Sequence, residues 1–227
     1  MPLRPTFSGE PDDREGFTAE FDAFYTRFAR VYDFLVRFLP VWRTWLKRTL
    51  PYIRGLRVLE VSFGTGYLLT QIPDRFQVFG IDYNAAMTQT AKRNLRRLGL
   101  TAFLQQADVS SLPYADGSFD TLINTLAFSG YPDGKVALTE MGRVLKPGGR
   151  LVMIDINYPK NRNRLGMALT KFWIASGDII RDMGKLFEES GWNFQDEEIG
   201  GFGSVHLYVC ETSFLSVIAP IQTSKPD

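Results

Sequence analysis

The chain has 227 residues, 44% of them hydrophobic, and carries a formal net charge of +1. This length favours one domain with one sizeable core, and the balanced charge gives no reason to expect a nucleic-acid partner. Cys210 is the only cysteine, which excludes an intramolecular disulfide and is typical of a reducing compartment such as the cytoplasm. No apolar run is long enough to span a bilayer.

Three segments are expected along the chain. Residues 1–16 contain three prolines and mixed charges, lack the apolar core of a signal peptide, and are predicted to be a flexible leader. Residues 17–219 are predicted to form a single domain, with a helical cap over about residues 17–54. Residues 220–227 are predicted to be a flexible tail.

Strands and helices alternate along the domain, which is typical of an α/β fold. Asn84 is suited to cap a helix, and Lys146-Pro147-Gly148-Gly149 predicts a turn. A glycine-rich link around Phe202 predicts that the last two strands are antiparallel. Apolar runs predict strands over 57–61, 77–81, 101–107, 118–124, 150–156, 192–200 and 204–212, and helical spacing predicts helices over 67–72, 84–98, 133–145, 165–173 and about 179–187.

Carboxylates lie at the ends of three successive predicted strands. Glu60 lies at the end of the first strand, Asp82 ends the second, and Asp108 follows the third. Gly64 and Gly66 follow Glu60 at a bend where the absence of a Cβ lets a ligand approach the backbone. Each carboxylate alone could be a helix cap, a turn residue or a salt-bridge partner. Their shared position at the carboxyl edge of a sheet instead predicts a nucleoside-binding site.

Five motifs in one order and spacing identify a family resemblance. From about Tyr25 to Thr212, the chain resembles the class I S-adenosylmethionine-dependent methyltransferases, in particular the small ubiquinone/menaquinone C-methyltransferase-like members. The resemblance implies a Rossmann-like, doubly wound α/β fold with a seven-stranded sheet, mostly parallel with an antiparallel C-terminal strand. The motifs are Val58–Gly66, Gly80–Asp82, Ala107–Asp108, Leu112–Tyr114 with Phe119–Asp120, and Leu145–Gly149.

The resemblance implies S-adenosylmethionine as the cofactor. Asp82 would bind the ribose hydroxyls, Asp108 the adenine amino group, and Glu60 with the glycine turn the methionine end. Tyr83 would stack on adenine, and Val109 would offer backbone groups beside it. No catalytic residue is identified, and no metal site is predicted. The residues expected at the cofactor are Glu60, Ser62, Gly64, Gly66, Asp82, Tyr83, Asp108, Val109, Asn124, Phe128 and Tyr32.

Two departures from the family pattern keep alternatives open. Ser62 stands where the family usually has glycine, and serine fits there if its φ is negative. The segment that begins at Asn124 lacks the family's acceptor motifs, so a non-catalytic S-adenosylmethionine-binding protein is one alternative. An NAD-dependent oxidoreductase is another, but Leu69 occupies a position where a dinucleotide site needs a small residue.

Three further residues are candidates for the chemistry. His206 is the only histidine, but it lies inside a predicted strand, so packing is favoured over a role as general base. Tyr131 and Tyr158 follow the fourth and fifth strands, where either could line an acceptor pocket or simply pack a turn.

Residues 21–57 contain ten aromatic and eight basic side chains but only two acidic ones. Tryptophan and arginine on amphipathic helices suit a membrane interface. Aromatic stripes that face a core are common, however, and a helical cap over the active site is the favoured account. We therefore predict methyl transfer to a small-molecule or lipid-like acceptor by a cytoplasmic enzyme, with peripheral membrane contact as the alternative role of these helices. The oligomeric state is not defined by the sequence.

Overall fold

The computed structural model describes residues 7–23, 26–27 and 40–212, and all structural statements concern these residues. Its centre is a seven-stranded sheet with the order β3-β2-β1-β4-β5-β7-β6. Strand β7 runs antiparallel to both of its neighbours, β5 and β6, and the other four strand pairs are parallel, which confirms the predicted mixed sheet. The strands are β1 (Arg57–Val61), β2 (Gln77–Asp82), β3 (Phe103–Gln106), β4 (Phe119–Thr125), β5 (Leu145–Ile156), β6 (Trp192–Gly200) and β7 (Val205–Thr212).

Helices connect the strands, and polar side chains fix where several of them begin. Asn84, Asp133, Asn163 and Asp182 each accept a hydrogen bond from the backbone N–H three residues later, which satisfies a donor that the first helical turn leaves free. The helices are α1 (residues 14–23), α2 (Pro40–Lys47), α3 (Ala85–Arg97), α4 (Gly134–Val144), α5 (Arg164–Ala175) and α6 (Met183–Glu189).

Helices pack against both faces of the sheet. Because successive side chains of a strand point to opposite faces, neighbouring residues of the central strands belong to different apolar clusters. Leu59 of β1 and Leu122 of β4 pack in the cluster that contains α4 and α6. Val58 and Ile123, their chain neighbours, pack in the cluster that contains α2 and α3. Because both faces are buried, the sequences of the central strands are continuous apolar runs. In such a sheet, ligands bind at the carboxyl ends of the strands.

Two local predictions were wrong or incomplete. The predicted helix over residues 67–72 is only a short 3₁₀ turn, Leu69–Gln71, because Pro73 disfavours the helical region at Ile72, whose ψ is 126°. The predicted turn at residues 146–149 lies inside β5, where the pairing with β4 is irregular. Gly148 still adopts a φ of +74°, as a tight bend requires.

Residues 7–16 belong to the predicted leader, and several of them contact the rest of the chain. The Ser8 N–H donates to the carbonyl of Ile180 at 2.8 Å, and Arg14 pairs with Asp133 at 2.7 Å. Tyr32 and the predicted tail at residues 220–227 lie outside the described ranges. The division into leader, domain and tail therefore stays a prediction.

Candidate functional site

A cavity opens at the carboxyl ends of β1, β2 and β4, the edge that the sequence predicted. Six of the predicted cofactor residues line it, and they come from turns that are distant in the chain but adjacent in the sheet. These residues are Ser62, Gly64, Asp82, Tyr83, Asp108 and Val109. The structure thus brings together the residues predicted for the ribose and the adenine.

The other predicted residues lie elsewhere. Glu60 lines a small neighbouring cavity behind the glycine turn, which shares Ser62 and Gly64 with the main one. Asn124 and Phe128 are fully buried and do not line the main cavity. Gly66 allows the glycine turn to pack closely against α3, because a Cβ at this position would lie only 2.9 Å from the Cβ of Ala91.

Asp82 holds the glycine turn and the start of α3 in place. One carboxylate oxygen accepts from the Gly64 N–H at 2.7 Å, and the other accepts from the Asn84 N–H at 2.9 Å. Asn84 in turn caps α3 and donates from its side chain to Asp22 of α1 at 2.8 Å. A single carboxylate therefore organises three parts of the cavity wall, while each of its oxygens keeps a lone pair for a ligand hydroxyl.

Ser62 does not have the negative φ that we expected. Its φ is +60°, a region that glycine enters without the steric cost that a Cβ brings. Its hydroxyl is 2.7 Å from the hydroxyl of Tyr131, and the Asn124 side chain donates to that tyrosine hydroxyl at 2.8 Å. The serine thus keeps the backbone conformation of a glycine loop and adds a hydrogen bond to the opposite wall.

The geometry at Ser62 predicts opposite effects for two small substitutions. Ser62→Gly should keep or raise the free energy of unfolding, because it removes a positive-φ strain of roughly 1 kcal/mol while losing one hydrogen bond of similar size. Ser62→Ala keeps the strain and loses the bond, so it should be the less stable variant by roughly 1 kcal/mol. Urea unfolding of both variants measures this difference. A more stable alanine variant would contradict the assigned strain.

Burial controls the charge of the two carboxylates nearest the glycine turn. Desolvation raises the pKa of Glu60 well above its usual range, and the nearby charge of Asp82 raises it further. Burial also raises the pKa of Asp82 to about 6, although the N–H groups of Asn84 and Gly64 oppose the shift. One carboxylate oxygen of Glu60 is buried and accepts no hydrogen bond from the described part of the chain. A donor or cation that entered here would relieve that cost.

Asn124 and Phe128 support the cavity wall from behind. The Asn124 side chain donates to the carbonyl of Val61 and to the Tyr131 hydroxyl. Phe128 packs edge-on against Tyr131, with ring centroids 5.6 Å apart, and under the guanidinium of Arg181 at 5.5 Å. Both residues therefore position Tyr131, which does line the cavity.

Sequence reasoning missed several wall residues. Helix α1 contributes Thr18, Phe21 and Asp22 to the wall, and Asp178 closes the side near Tyr131. The Asp178 carboxylate accepts from the Ser129 hydroxyl at 2.7 Å, and burial raises its pKa. Asp178 follows α5 after a glycine and belongs to no strand-end pattern, so no signal in the sequence pointed to it.

His206 and Tyr158 lie outside the cavity. His206 is buried in β7, where its ring nitrogens lie 2.7 Å from an oxygen of Asp196 and 3.1 Å from the carbonyl of Tyr158. Tyr158 is also buried and belongs to the apolar cluster beneath α5. These contacts agree with the packing role favoured for the histidine. Of the two tyrosines, Tyr131 alone lines the main cavity.

The fold and the matched domain define the class of protein. A family model described as a methyltransferase domain matches residues 59–153, which include the glycine turn, Asp82, Asp108 and most of β5. Solved S-adenosylmethionine-dependent methyltransferases share the overall fold. The matched domain, the methyltransferase relatives and the shared fold support a class I S-adenosylmethionine-dependent methyltransferase, with S-adenosylmethionine as the cofactor. The expectation from the sequence is confirmed, and the NAD alternative is disfavoured.

Individual relatives add detail. The ubiquinone/menaquinone biosynthesis C-methyltransferase UbiE of Geotalea uraniireducens (strain Rf4) is 29% identical over 76% of this chain and 77% of that protein. A phosphatidylethanolamine N-methyltransferase of Cereibacter sphaeroides is 35% identical over 58% of this chain and 65% of that protein. A solved SAM-dependent methyltransferase of Thermotoga maritima superimposes with a TM-score of 0.67 at 18% identity, covering 83% of this chain and 98% of that one.

Proposed function

We propose that the chain transfers the methyl group of S-adenosylmethionine to a small-molecule or lipid-like acceptor by in-line displacement. The acceptor lone pair attacks the methyl carbon, the methyl–sulfur bond breaks, and its electron pair stays on sulfur, which gives S-adenosylhomocysteine. Because the sulfonium methyl is already electrophilic, the protein mainly has to align the acceptor and exclude water. The observation that carries the proposal is the cavity with Asp82 and Asp108 on one side and Tyr131 and Asp178 on the other.

The cofactor roles follow the strand ends. Asp82, with a lone pair left on each oxygen, would accept from the ribose hydroxyls. Asp108 would accept from the adenine amino group, while Val109 offers backbone groups and the exposed ring of Tyr83 offers a stacking surface. Glu60, behind the glycine turn, would hold the methionine amino group directly or through water.

The charge of the cavity bears on the acceptor. Within the described part of the chain, its lining contains five aspartates, Asp22, Asp82, Asp108, Asp133 and Asp178, and no lysine, arginine or histidine. Asp133 is already paired with Arg14, whereas the carboxylate of Asp178 has only the Ser129 hydroxyl as a hydrogen-bond partner among the described residues. Such a wall repels an anionic reacting group and favours an amine. The phosphatidylethanolamine N-methyltransferase relative accords with an amine acceptor carried on a lipid.

Two measurements test the proposed reaction. Calorimetric titration with S-adenosylmethionine, S-adenosylhomocysteine and NAD should show binding of the first two only. Turnover against a panel of amine, hydroxyl and carbon acceptors, followed by the formation of S-adenosylhomocysteine, should then identify the acceptor class. Tight cofactor binding with no turnover on any acceptor would instead favour the non-catalytic binding protein.

Asp178→Asn should separate acceptor binding from cofactor binding. We expect kcat/KM for an amine acceptor to fall by roughly 10- to 100-fold, the size of a charge-assisted hydrogen bond, with S-adenosylhomocysteine affinity unchanged. Asp182→Asn is the matched control, because it removes the same charge at an exposed helix cap that asparagine also satisfies. Equal kcat/KM for the two variants would remove Asp178 from the acceptor site.

Peripheral membrane contact through the N-terminal basic aromatic helices stays part of the proposal. Of this region, α2 presents exposed Arg43 and Lys47, exposed Arg48 follows its last residue, and Trp42 and Trp45 are half-buried. In the portion of the chain that the structure describes, no helix is long and apolar enough to cross a membrane. The proposed contact is with the surface of a bilayer, and a cytoplasmic location is proposed with it.

A further inference from the structure

Helix α5 has an apolar outer surface. Its buried side consists of Gly166, Met167 and Thr170. On the opposite side, residues 165, 168, 172 and 175 are exposed, at a spacing that places them in one stripe along the helix. Leu165 is 62% exposed and Phe172 is 60% exposed, although a helix that packs on a sheet normally turns such side chains inward.

The turn between β6 and β7 adds a second exposed aromatic beside the start of this helix. Phe202 is 64% exposed, and its φ is +54°, between Gly201 and Gly203, which also have positive φ. A bulky residue rarely adopts a positive φ. Because the Phe202 ring is exposed, packing within the fold does not explain this conformation. The carbonyl of Phe202 accepts from the side chain of Asn163, the cap of α5, at 2.7 Å. The turn and the helix are therefore joined.

Basic groups border the stripe, and acidic groups do not. Helix α5 contains no acidic residue, and Arg164 and Lys171, two turns apart, are both exposed on one edge of it. On the neighbouring strand, Glu197 pairs with Arg48 and Glu198 accepts from the Lys160 N–H. The acidic side chains nearest the turn are thus engaged, and the outer surface of α5 keeps a positive border.

We propose that this surface, defined by Leu165, Ala168, Phe172, Ala175 and Phe202 and named the α5 face, docks on an anionic lipid bilayer. The apolar side chains would enter the boundary between headgroups and acyl chains, and Arg164 and Lys171 would meet the phosphates. The inference deepens the proposed function, since it supplies the surface on which a lipid-like acceptor would be met.

The connection between the α5 face and the cavity is short. Helix α5 ends at Ala175, and Asp178 of the cavity wall follows three residues later, at most about 10 Å along the chain. At the other side of α5, the ring of Trp173 lies 6.1 Å from that of Trp42 in the basic helix α2. Docking through α5 would therefore bring both the cavity wall and α2 to the bilayer.

Vesicle co-sedimentation tests the inference with the full chain. The vesicles are phosphatidylcholine alone, or with about one quarter phosphatidylglycerol, at about 0.05 M and about 0.5 M salt. We expect binding to the anionic vesicles and a loss of affinity of about tenfold or more in Leu165→Ser/Phe172→Ser and in Phe202→Gly. Arg164→Gln/Lys171→Gln should weaken binding mainly at low salt.

Matched controls are available at similar exposure elsewhere on the surface. Leu98→Ser and Phe103→Ser remove side chains that are 59% and 67% exposed at the opposite edge of the sheet, and their vesicle binding should equal that of the parent. Calorimetry with S-adenosylhomocysteine on every variant checks that each one is folded. It also tests the cofactor part of the proposed function independently of lipid.

Three results would overturn the inference. The first is an absence of binding to anionic vesicles at low salt by a chain that still binds S-adenosylhomocysteine. The second is unchanged vesicle binding by Leu165→Ser/Phe172→Ser. The third is a lipid-free dimer, seen by sedimentation, that the same double substitution dissociates, since a second copy of the chain would then cover the α5 face.

Discussion

Asp82→Ala is expected to weaken S-adenosylhomocysteine binding by roughly 1.5–3 kcal/mol, the range for hydrogen bonds to a charged group. The carboxylate has two tasks in the structure, because it holds the N–H groups of Gly64 and Asn84 while facing the cavity. Its removal should loosen the glycine turn as well as remove the ribose partner. Isothermal titration calorimetry of the folded variant gives the affinity directly.

Asp74→Ala is the control for Asp82→Ala. Asp74 is exposed in the loop before β2 and does not line the cavity, so its loss should leave the affinity unchanged. Full affinity in a folded Asp82 variant would remove this residue from the cofactor site and would weaken every assignment built on the strand ends.

Glu60→Gln is expected to stabilise the free protein and to weaken its binding of cofactor. The residue is 2% exposed, and one of its carboxylate oxygens has no hydrogen-bond partner in the described chain, so the ionised form is costly. Glutamine keeps the shape without the charge. We expect a gain of roughly 1–3 kcal/mol in unfolding free energy at pH 8, and about a tenfold loss of S-adenosylhomocysteine affinity because the amino group loses its counter-charge.

The pH dependence of this gain has a definite sign. Burial raises the pKa of Glu60 in the folded protein, so the folded state holds the proton more tightly than the unfolded state does. The stability that this group contributes is complete below its unfolded pKa, about 4.3, and is lost as the pH rises towards the folded pKa. The advantage of Glu60→Gln over the parent should therefore be small near pH 4 and should grow with pH. Urea unfolding at several pH values measures it, and an advantage independent of pH would contradict a buried, titrating carboxylate.

The strand ends could be predicted because they depend on local pattern. The apolar run of residues 57–61 predicts a strand, and Asn84 predicts a helix start, from only a few neighbouring residues. The order of β1, β2 and β4 then brings Asp82 beside the glycine turn. The positive φ of Ser62 could not be predicted, because its support comes from Tyr131, 69 residues away. A serine at position 62 does not by itself indicate that its hydroxyl bonds to Tyr131.

The far wall of the cavity was less accessible to prediction for a similar reason. Asp178 reaches the cavity only because its loop is tied to the turn after β4, where the Ile179 N–H donates to the carbonyl of Ser129 at 2.8 Å. Asp22 is placed by its contact with Asn84 across 62 residues of chain. Such contacts form only in the assembled fold and produce no periodic pattern in the sequence. The far wall of the cavity is therefore visible only in the folded structure.

The hydrogen bonds that join Ser62, Tyr131 and Asn124 have a consequence for the sequence of events during turnover. Ser62 lines the part of the cavity proposed for the cofactor, and Tyr131 lines the part proposed for the acceptor. Their two hydroxyls are joined by a hydrogen bond. A cofactor seated at the glycine turn would immobilise Ser62 and, through it, the tyrosine ring before an acceptor arrives. The expected kinetic scheme is compulsory-order, with the methyl donor entering first and its demethylated product leaving last.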